Sequence, residues 1–220
     1  MKIIGLTGGV GSGKTQILEY LNEKFPRLTR VTMYANGSSV LSKTPEALER
    51  LHKLKLSLVY MGLESGNEDV LRLAGKDDTA AHMTEAVRRL RTSGIKTSVM
   101  ILAGIGGRRF SDGHVRDTAS VLKEMQPEIL SLLRFIEVPG LKMYEGYEPL
   151  TEYGSVREMR DLIAGLELAS TVFRANHSSV PFPLEGRFPK DRERMTALLD
   201  QVLAEGSLDR NGAGKVPLFL

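Results

Sequence analysis

A parallel α/β fold, built from repeated strand–helix units, is predicted by three features of the 220-residue sequence. Short, near-continuous apolar runs recur along the chain, as strands of a covered parallel sheet require. Between them lie segments whose apolar residues return every three or four positions, the helical period. The punctuation agrees, with capping residues and a proline where helices begin and a glycine where one ends. Two closures satisfy this order: an open doubly wound sheet, or a curved, barrel-like (β/α)6 arrangement.

The elements follow in sequence. KIIGLT (2–7) reads as a strand, and the helix after it carries Ile17, Leu18, Leu21 and Phe25 on one face. RVTMYA (30–35) is the second strand. Thr44 then caps a helix with Pro45 at its first position, and Leu48, Leu51 and Leu54 form its apolar stripe. LSLVYMGLE (56–64) is the third strand, followed by a helix from Thr79 that turns Met83, Ala86, Val87 and Leu90 inward; Gly94 stands where a left-handed terminating residue belongs. KTSVMILAG (96–104) leads to a helix with Val115, Ala119, Leu122 and Met125, stopped by Pro127. EILSLLRFIEV (128–138) is the fifth strand. Ser155 and Glu158 match a capping box at the head of a helix that buries Met159, Leu162, Ile163 and Leu166. STVFRA (170–175) is the sixth strand, SSVPFPLEGRFPK (178–190) a proline-rich loop, and residues 191–205 a closing helix with Met195, Leu198, Leu199, Val202 and Leu203 inward.

No linker-like composition divides the chain, so residues 1–205 read as one domain, with 1–25 as a strand–loop–helix and 206–220 as a loosely attached tail without periodicity. Lys and Arg exceed Asp and Glu by 30 − 27 = 3, with no run of like charge, so nucleic acid is unsupported as a partner. No apolar stretch reaches membrane-spanning length and no signal-peptide pattern opens the chain, so a cytoplasmic protein is expected. The chain has no cysteine, which excludes disulfides, thiolate zinc sites, cysteine nucleophiles and cysteine-held iron–sulfur clusters within it. His52, His82, His114 and His177 show no metal-ligand spacing. GGRRFSDG (106–113) reads as a basic, glycine-rich loop, and the methionines as packing residues.

Positions 8–15, GGVGSGKT, satisfy the phosphate-loop pattern between a strand and a helix. Gly8, Gly11, Ser12 and Gly13 would let backbone N–H groups converge on phosphate oxygens; Lys14 would reach the outer phosphates and Thr15 would ligate Mg²⁺, so ATP or GTP with Mg²⁺ is the implied ligand. A glycine-rich turn without a ligand satisfies the same pattern. Phosphoryl transfer also needs a carboxylate at another strand end, and the nearest are Glu64 and Glu137.

Residues 1–16, in which a strand, GLTGG and GSGKT run together, resemble the start of dephospho-CoA kinases. From Ile17 to Asp200 the chain resembles the C-terminal part of a radical SAM protein of the iron–sulfur oxidoreductase type. The stretches that carry this are LVYMGLESGNEDVLRL, GIKTSVMILAGIGG, the VPG after the fifth strand and VFRANHSS…PLEGRFPKDRERM. The resemblance implies a partial (β/α)6 barrel with the phosphate-loop strand–helix at its N-terminus. It implies that Glu64 and Ser65 lie near the methionine and ribose of S-adenosylmethionine (SAM), that Ala103 to Gly107, Gly104 and Gly106 among them, approach the adenine and ribose, and that Val138 to Gly140 form the next turn. The CxxxCxxC cluster loop of that family has no counterpart, so no [4Fe–4S] cluster is expected.

In a parallel βα array the strand C-termini open on one side, where the phosphate loop, Asn36, Glu64, Gly104, Glu137 and Arg174 would share a mouth, with Asn176 and His177 beside it. The reading that follows is a cluster-less radical SAM-like protein that binds a nucleotide or SAM-like small molecule there, without radical chemistry of its own. Two alternatives stand beside it: a P-loop kinase or NTPase, and a non-catalytic truncated, recombined or designed scaffold that self-associates through an open sheet edge.

Overall fold

The computed structural model describes residues 4–6, 14–137 and 143–214, with the backbone alone at 4–6 and Lys14. The elements are β1 (Ile4–Leu6), α1 (Lys14–Lys24), β2 (Val31–Tyr34), α2 (Gly37–Leu41), α3 (Pro45–Lys53), β3 (Leu56–Glu64), α4 (Glu68–Leu73) and α5 (Ala80–Thr92). They continue as β4 (Lys96–Ala103), α6 (Gly107–Met125), β5 (Ile129–Arg134), α7 (Glu152–Gly165), β6 (Val172–Ala175), β7 (Leu184–Arg187) and α8 (Arg192–Ala204). One sheet holds all seven strands in chain order. β1 to β6 pair in parallel, and β7 pairs antiparallel with β6.

Sequential order decides between the two closures. A doubly wound sheet reverses direction at a switch point and so places helices on both faces. Here every crossover advances the same way, and crossovers of one hand put their helices on one face. α5 packs on α6, α6 on α7 and α7 on α8 along that outer layer. The strands carry the corresponding alternation. On β4, Val99 and Ile101 are buried under the helices while Met100 and Leu102 are half-buried on the other face; β5 repeats this, with Leu130 and Leu132 buried and Ser131 and Leu133 between. The chain is thus a partial barrel whose outer face is packed and whose inner face stays open among the described residues. Tyr34 and Tyr60 stack at 5.0 Å on that inner face, next to each other in register.

Local chemistry explains most boundaries. Thr44 and Thr79 cap α3 and α5 by accepting the N–H groups of Ala47 and His82. Gly94 follows α5 at φ +79°, and its N–H returns to the Arg91 carbonyl. The core runs unbroken through the sheet and helices, with Phe173 and Phe188 in an edge-to-face pair at 6.1 Å near the last strands.

Four expectations are corrected. Ser155 and Glu158 do not cap a helix: Thr151 does, accepting from Gly154 N–H, so α7 starts a turn earlier and both residues face inward and are buried. The 178–190 segment contains β7 and is not wholly a loop. Residues 107–113 are the first turns of α6. On α1, Leu18 is buried and Leu21 partly so, while Ile17 and, just past the helix end, Phe25 are exposed, so the packed stripe is narrower than the apolar pattern predicts. The segment after α8 is fastened as far as Ala213: Glu152 and Tyr153 N–H groups donate to the Gly212 and Asp209 carbonyls, and the Arg134 guanidinium donates to Ala213 O at 2.6 Å. Among the described residues no helix is long and apolar enough to cross a membrane.

Candidate functional site

Six parallel strands bring their C-terminal ends to one edge of the sheet, and two turns at the centre of that edge carry most of the polar chemistry. The first follows β3. A bulge breaks the β3–β4 register between Gly62 and Glu64, and Glu64 adopts φ +64°, a left-handed conformation that costs a side-chain-bearing residue about 1 kcal/mol or more. The turn folds the Glu64 side chain back over Gly62: a Cβ on Gly62 would lie 2.2 Å from Glu64 Oε1. That oxygen also meets Lys76 Nζ at 3.3 Å, with both side chains partly exposed. A carboxylate and an ammonium therefore stand side by side at the rim, on a strained residue. Lys76 carried no signal in the sequence, since it lies beyond α4 and is brought back only by that helix's turn.

Ser65 and Gly66 complete this turn and are anchored from α6. Ser65 is fully buried; its Oγ accepts Asn67 N–H and lies 2.8 Å from His114 Nδ1. Ser65 O–H is therefore free to donate to Nδ1, which places the His114 proton on Nε2. Gly66 N–H donates to Thr118 Oγ1 at 2.8 Å. A side chain at Gly66 would put Cβ 2.6 Å from Thr118 Cα, so close docking of the turn on α6 requires glycine.

The second turn follows β4. Gly104, at φ +82°, opens it, and its carbonyl accepts Gly107 N–H and the Tyr147 hydroxyl. The Tyr144 hydroxyl donates to Gly106 O, and Tyr144 and Tyr147 meet edge-to-face at 5.3 Å. A cavity of about 230 Å³ lies beside this turn, lined by Gly104, Arg134, Ile136, Glu137, Tyr147 and Leu150 among others. Burial raises the Tyr147 hydroxyl above its ordinary value, so it stays a donor at neutral pH.

Glu158 links the two turns from α7. It is 2% exposed; Oε1 accepts Gly104 N–H at 2.5 Å, Oε2 accepts the Ser111 hydroxyl, and His114 Nε2 lies 4.0 Å from Oε1. Burial pushes the Glu158 carboxyl up to about 7, against the lowering effect of the Ser111 and Gly104 hydrogen bonds. Burial likewise pushes His114 down to about 4, with Asp117 acting the other way. At neutral pH His114 is therefore uncharged, the state its hydrogen bond to Ser65 assumes.

Glu64, Ser65, Gly104 and Gly106 come together at the central turns, and Asn36 and Glu137 lie along the same edge after β2 and β5. Arg174 is exposed within β6, His177 hydrogen-bonds Ser179, and Thr15 lies apart against Lys43, Glu46 and Arg50 of the α3 region. Gly8, Gly11, Ser12, Gly13 and Val138 to Gly140 are outside the described residues, as is the side chain of Lys14. Among the described residues no group of three or more His, Cys, Asp or Glu could hold a metal ion. His114 and Glu158 went unseen as a pair because one read as an isolated histidine and the other as a cap.

Comparison with known proteins agrees with this architecture. A family model described as the radical SAM superfamily matches residues 1–122, a span that includes the glycine-rich segment at the start. Among solved structures, coproporphyrinogen III oxidase (HemN) from Escherichia coli, a radical SAM enzyme, matches at TM-score 0.59 and 15% identity over 73% of this chain and 39% of its own. Elp3 from the archaeon Methanocaldococcus infernus matches at 0.60 and 13% over 96% of this chain and 56% of its own, and methylornithine synthase (PylB) at 0.54 and 13% over 96% and 69%. At these identities the likeness is one of fold, and the chain spans well under two thirds of the length of the first two. No curated protein matches it. With sequential parallel strands, one helical layer and a family match over more than half of its length, the chain belongs to the radical SAM superfamily.

Proposed function

We propose that this protein binds SAM, or an adenosyl amino acid of the same class, at the mouth formed by the β3 and β4 turns. The observation that carries this is the Glu64–Lys76 pair beside Ser65. An amino acid presents an ammonium and a carboxylate a few ångströms apart, and a rim carboxylate next to a rim ammonium complements both. Glu64 would receive the ligand ammonium and Lys76 its carboxylate. The turn after β4 has no side chain at Gly104, where the nearest atom to an added Cβ would be Leu150 Cδ1 at 3.9 Å, so a flat, polar ring system could approach the backbone there. Glu64, Ser65, Gly104 and Gly106 are the ligand residues in this reading.

The [4Fe–4S] cluster that the family resemblance implies does not fit the residues present. Its thiolate ligands are absent from all 220 residues, so no step is routed through it and no reductive cleavage of SAM is assigned to this chain. What these residues supply is binding and orientation.

Calorimetric titration with SAM and with S-adenosylhomocysteine tests the reading. Wild-type protein should bind, and Lys76→Ala and Glu64→Ala should each weaken binding by about tenfold, the scale of one lost charge-assisted contact. Equal affinity in wild type and both variants would overturn the assignment. The competing nucleotide reading of Gly8–Thr15 is tested in the same experiment with ATP–Mg²⁺: it requires binding that Lys14→Ala abolishes and Glu64→Ala leaves intact.

A further inference from the structure

We propose that Glu158 is a positioning residue for this mouth, holding the Gly104 turn through its backbone amide and, together with His114, joining that turn to the Ser65–Gly66 turn as one unit. The proposal rests on reading the mouth as the ligand site.

The geometry is that of a buried cross-link made of hydrogen bonds. Glu158 reaches from α7 to the end of β4, a sequence separation of 54 residues, and accepts the amide proton of the residue that opens the glycine-rich turn. The same Gly104 peptide unit's neighbour carbonyl is held from the opposite side by Tyr147 and by Gly107 N–H, so the turn is fixed at both its donor and its acceptor. Ser111 of α6 occupies the second carboxylate oxygen. His114, one helical turn further along α6, faces Glu158 with Nε2 and Ser65 with Nδ1. Thr118, a further turn along, takes Gly66 N–H. Three successive residues of one α6 stripe thus serve the two turns, and Glu158 closes the arrangement from the neighbouring helix.

Packing alone does not explain this choice of side chain. A buried carboxyl group costs free energy that an apolar residue of the same volume would not. What the carboxyl group contributes is an acceptor for a backbone N–H that sits in a left-handed turn with no strand partner. A leucine there would fill the space and leave the Gly104 amide without a partner. The groups facing Glu158 are Ser111, His114 and Asp112 on α6, Arg157 on its own helix, the Gly104 amide on β4 and Tyr147 on the loop.

The test uses the whole chain labelled with ¹⁵N and S-adenosylhomocysteine as the probe. Glu158→Leu should move the Gly104 amide proton upfield, shift the Ser65 and Gly66 amides across His114, and weaken the probe by roughly tenfold, as one lost buried hydrogen bond implies. Glu158→Gln, which keeps the acceptor oxygen, should restore the Gly104 resonance and most of the affinity. Should Glu158→Leu fail to fold, the decision passes to wild type against Glu158→Gln: the wild-type Gly104 resonance should move as the carboxyl group titrates, and the Gln variant's should not. A Gly104 resonance indifferent to both substitutions overturns the proposal, as does unchanged probe affinity in a folded Glu158→Leu variant. Wild-type protein that binds no probe overturns the reading of the mouth, while the amide resonances still decide whether Glu158 holds the turn.

Discussion

Glu158 and His114 are buried side by side with displaced titrations of opposite effect, and removing one of them should expose the other. Glu158 titrates at about 7 in the folded protein against an ordinary 4.5, so between these values the folded state holds a proton that the unfolded chain has released. Stability from this group is present in full below pH 4.5 and is lost as pH rises through about 7. His114 titrates at about 4 against an ordinary 6.5, so between those values the unfolded chain holds the extra proton. Stability from His114 is present above pH 6.5 and is lost as pH falls through about 4. Across the shared window, 4.5 to 6.5, the two slopes oppose and the pair is nearly silent. Glu158→Gln removes one slope. What remains is the span 6.5 − 4, about 2.5 pH units at ~1.36 kcal/mol each, or about 3 kcal/mol of stability lost on acidification. His114→Gln should give the reverse, a loss of similar size as pH rises from 4.5 to about 7. Urea unfolding at half-unit pH intervals, each variant referenced to wild type, cancels the surface carboxylates common to all three. Parallel profiles for wild type and Glu158→Gln would refute the argument, because they would mean that Glu158 contributes no slope and so does not titrate high in the folded protein.

Two further outcomes test the packing beneath the site. Gly66→Ala places a methyl group 2.6 Å from the α6 backbone at Thr118, so it should lower stability by about 1–3 kcal/mol and disturb the Ser65 amide, both readable by urea unfolding and amide spectra. Phe173→Ala removes a fully buried ring from the β6 core and its edge-to-face contact with Phe188, and should cost about 3–5 kcal/mol in the same unfolding assay.

The fold was largely legible because its signals are local. Apolar runs marked six of seven strands, and Thr44, Thr79 and Gly94 marked helix ends through chemistry confined to a few residues. β7 was hidden because LEGR, flanked by prolines, has no alternating apolar pattern and pairs only through the β6 edge. Periodicity alone left the closure open, since strand order is a property of the whole sheet; the stretches that resemble radical SAM proteins are what pointed to the partial barrel that the structure has. The misread cap at Ser155 shows the limit of pattern matching: S-x-x-E fits a capping box, yet Thr151 lies one turn earlier and caps the helix through Gly154 N–H, which puts Ser155 and Glu158 inside the helix and Glu158 in the core. Lys76, His114 and Glu158 meet their partners over 12, 49 and 54 residues, distances at which no spacing rule operates.

The character of this mouth bears on what a radical SAM scaffold without cysteines in the chain can do. Glu64 in a left-handed turn, a buried carboxyl group and a buried neutral histidine each carry a cost of strain or desolvation, offset in the two buried groups by the hydrogen bonds they make to Gly104, Ser111 and Ser65. At these two turns the costs fall on residues that hold one another, whereas the outer face of the sheet is conventional aliphatic packing. A scaffold that served only to fill space would gain by relaxing them. Gly66 N–H on Thr118, Ser65 on His114 and Gly104 N–H on Glu158 fix the two turns from α6 and α7, with His114 Nε2 4.0 Å from the Glu158 carboxyl group between them, and this arrangement supports a site whose two halves are held at fixed separation for the proposed ligand.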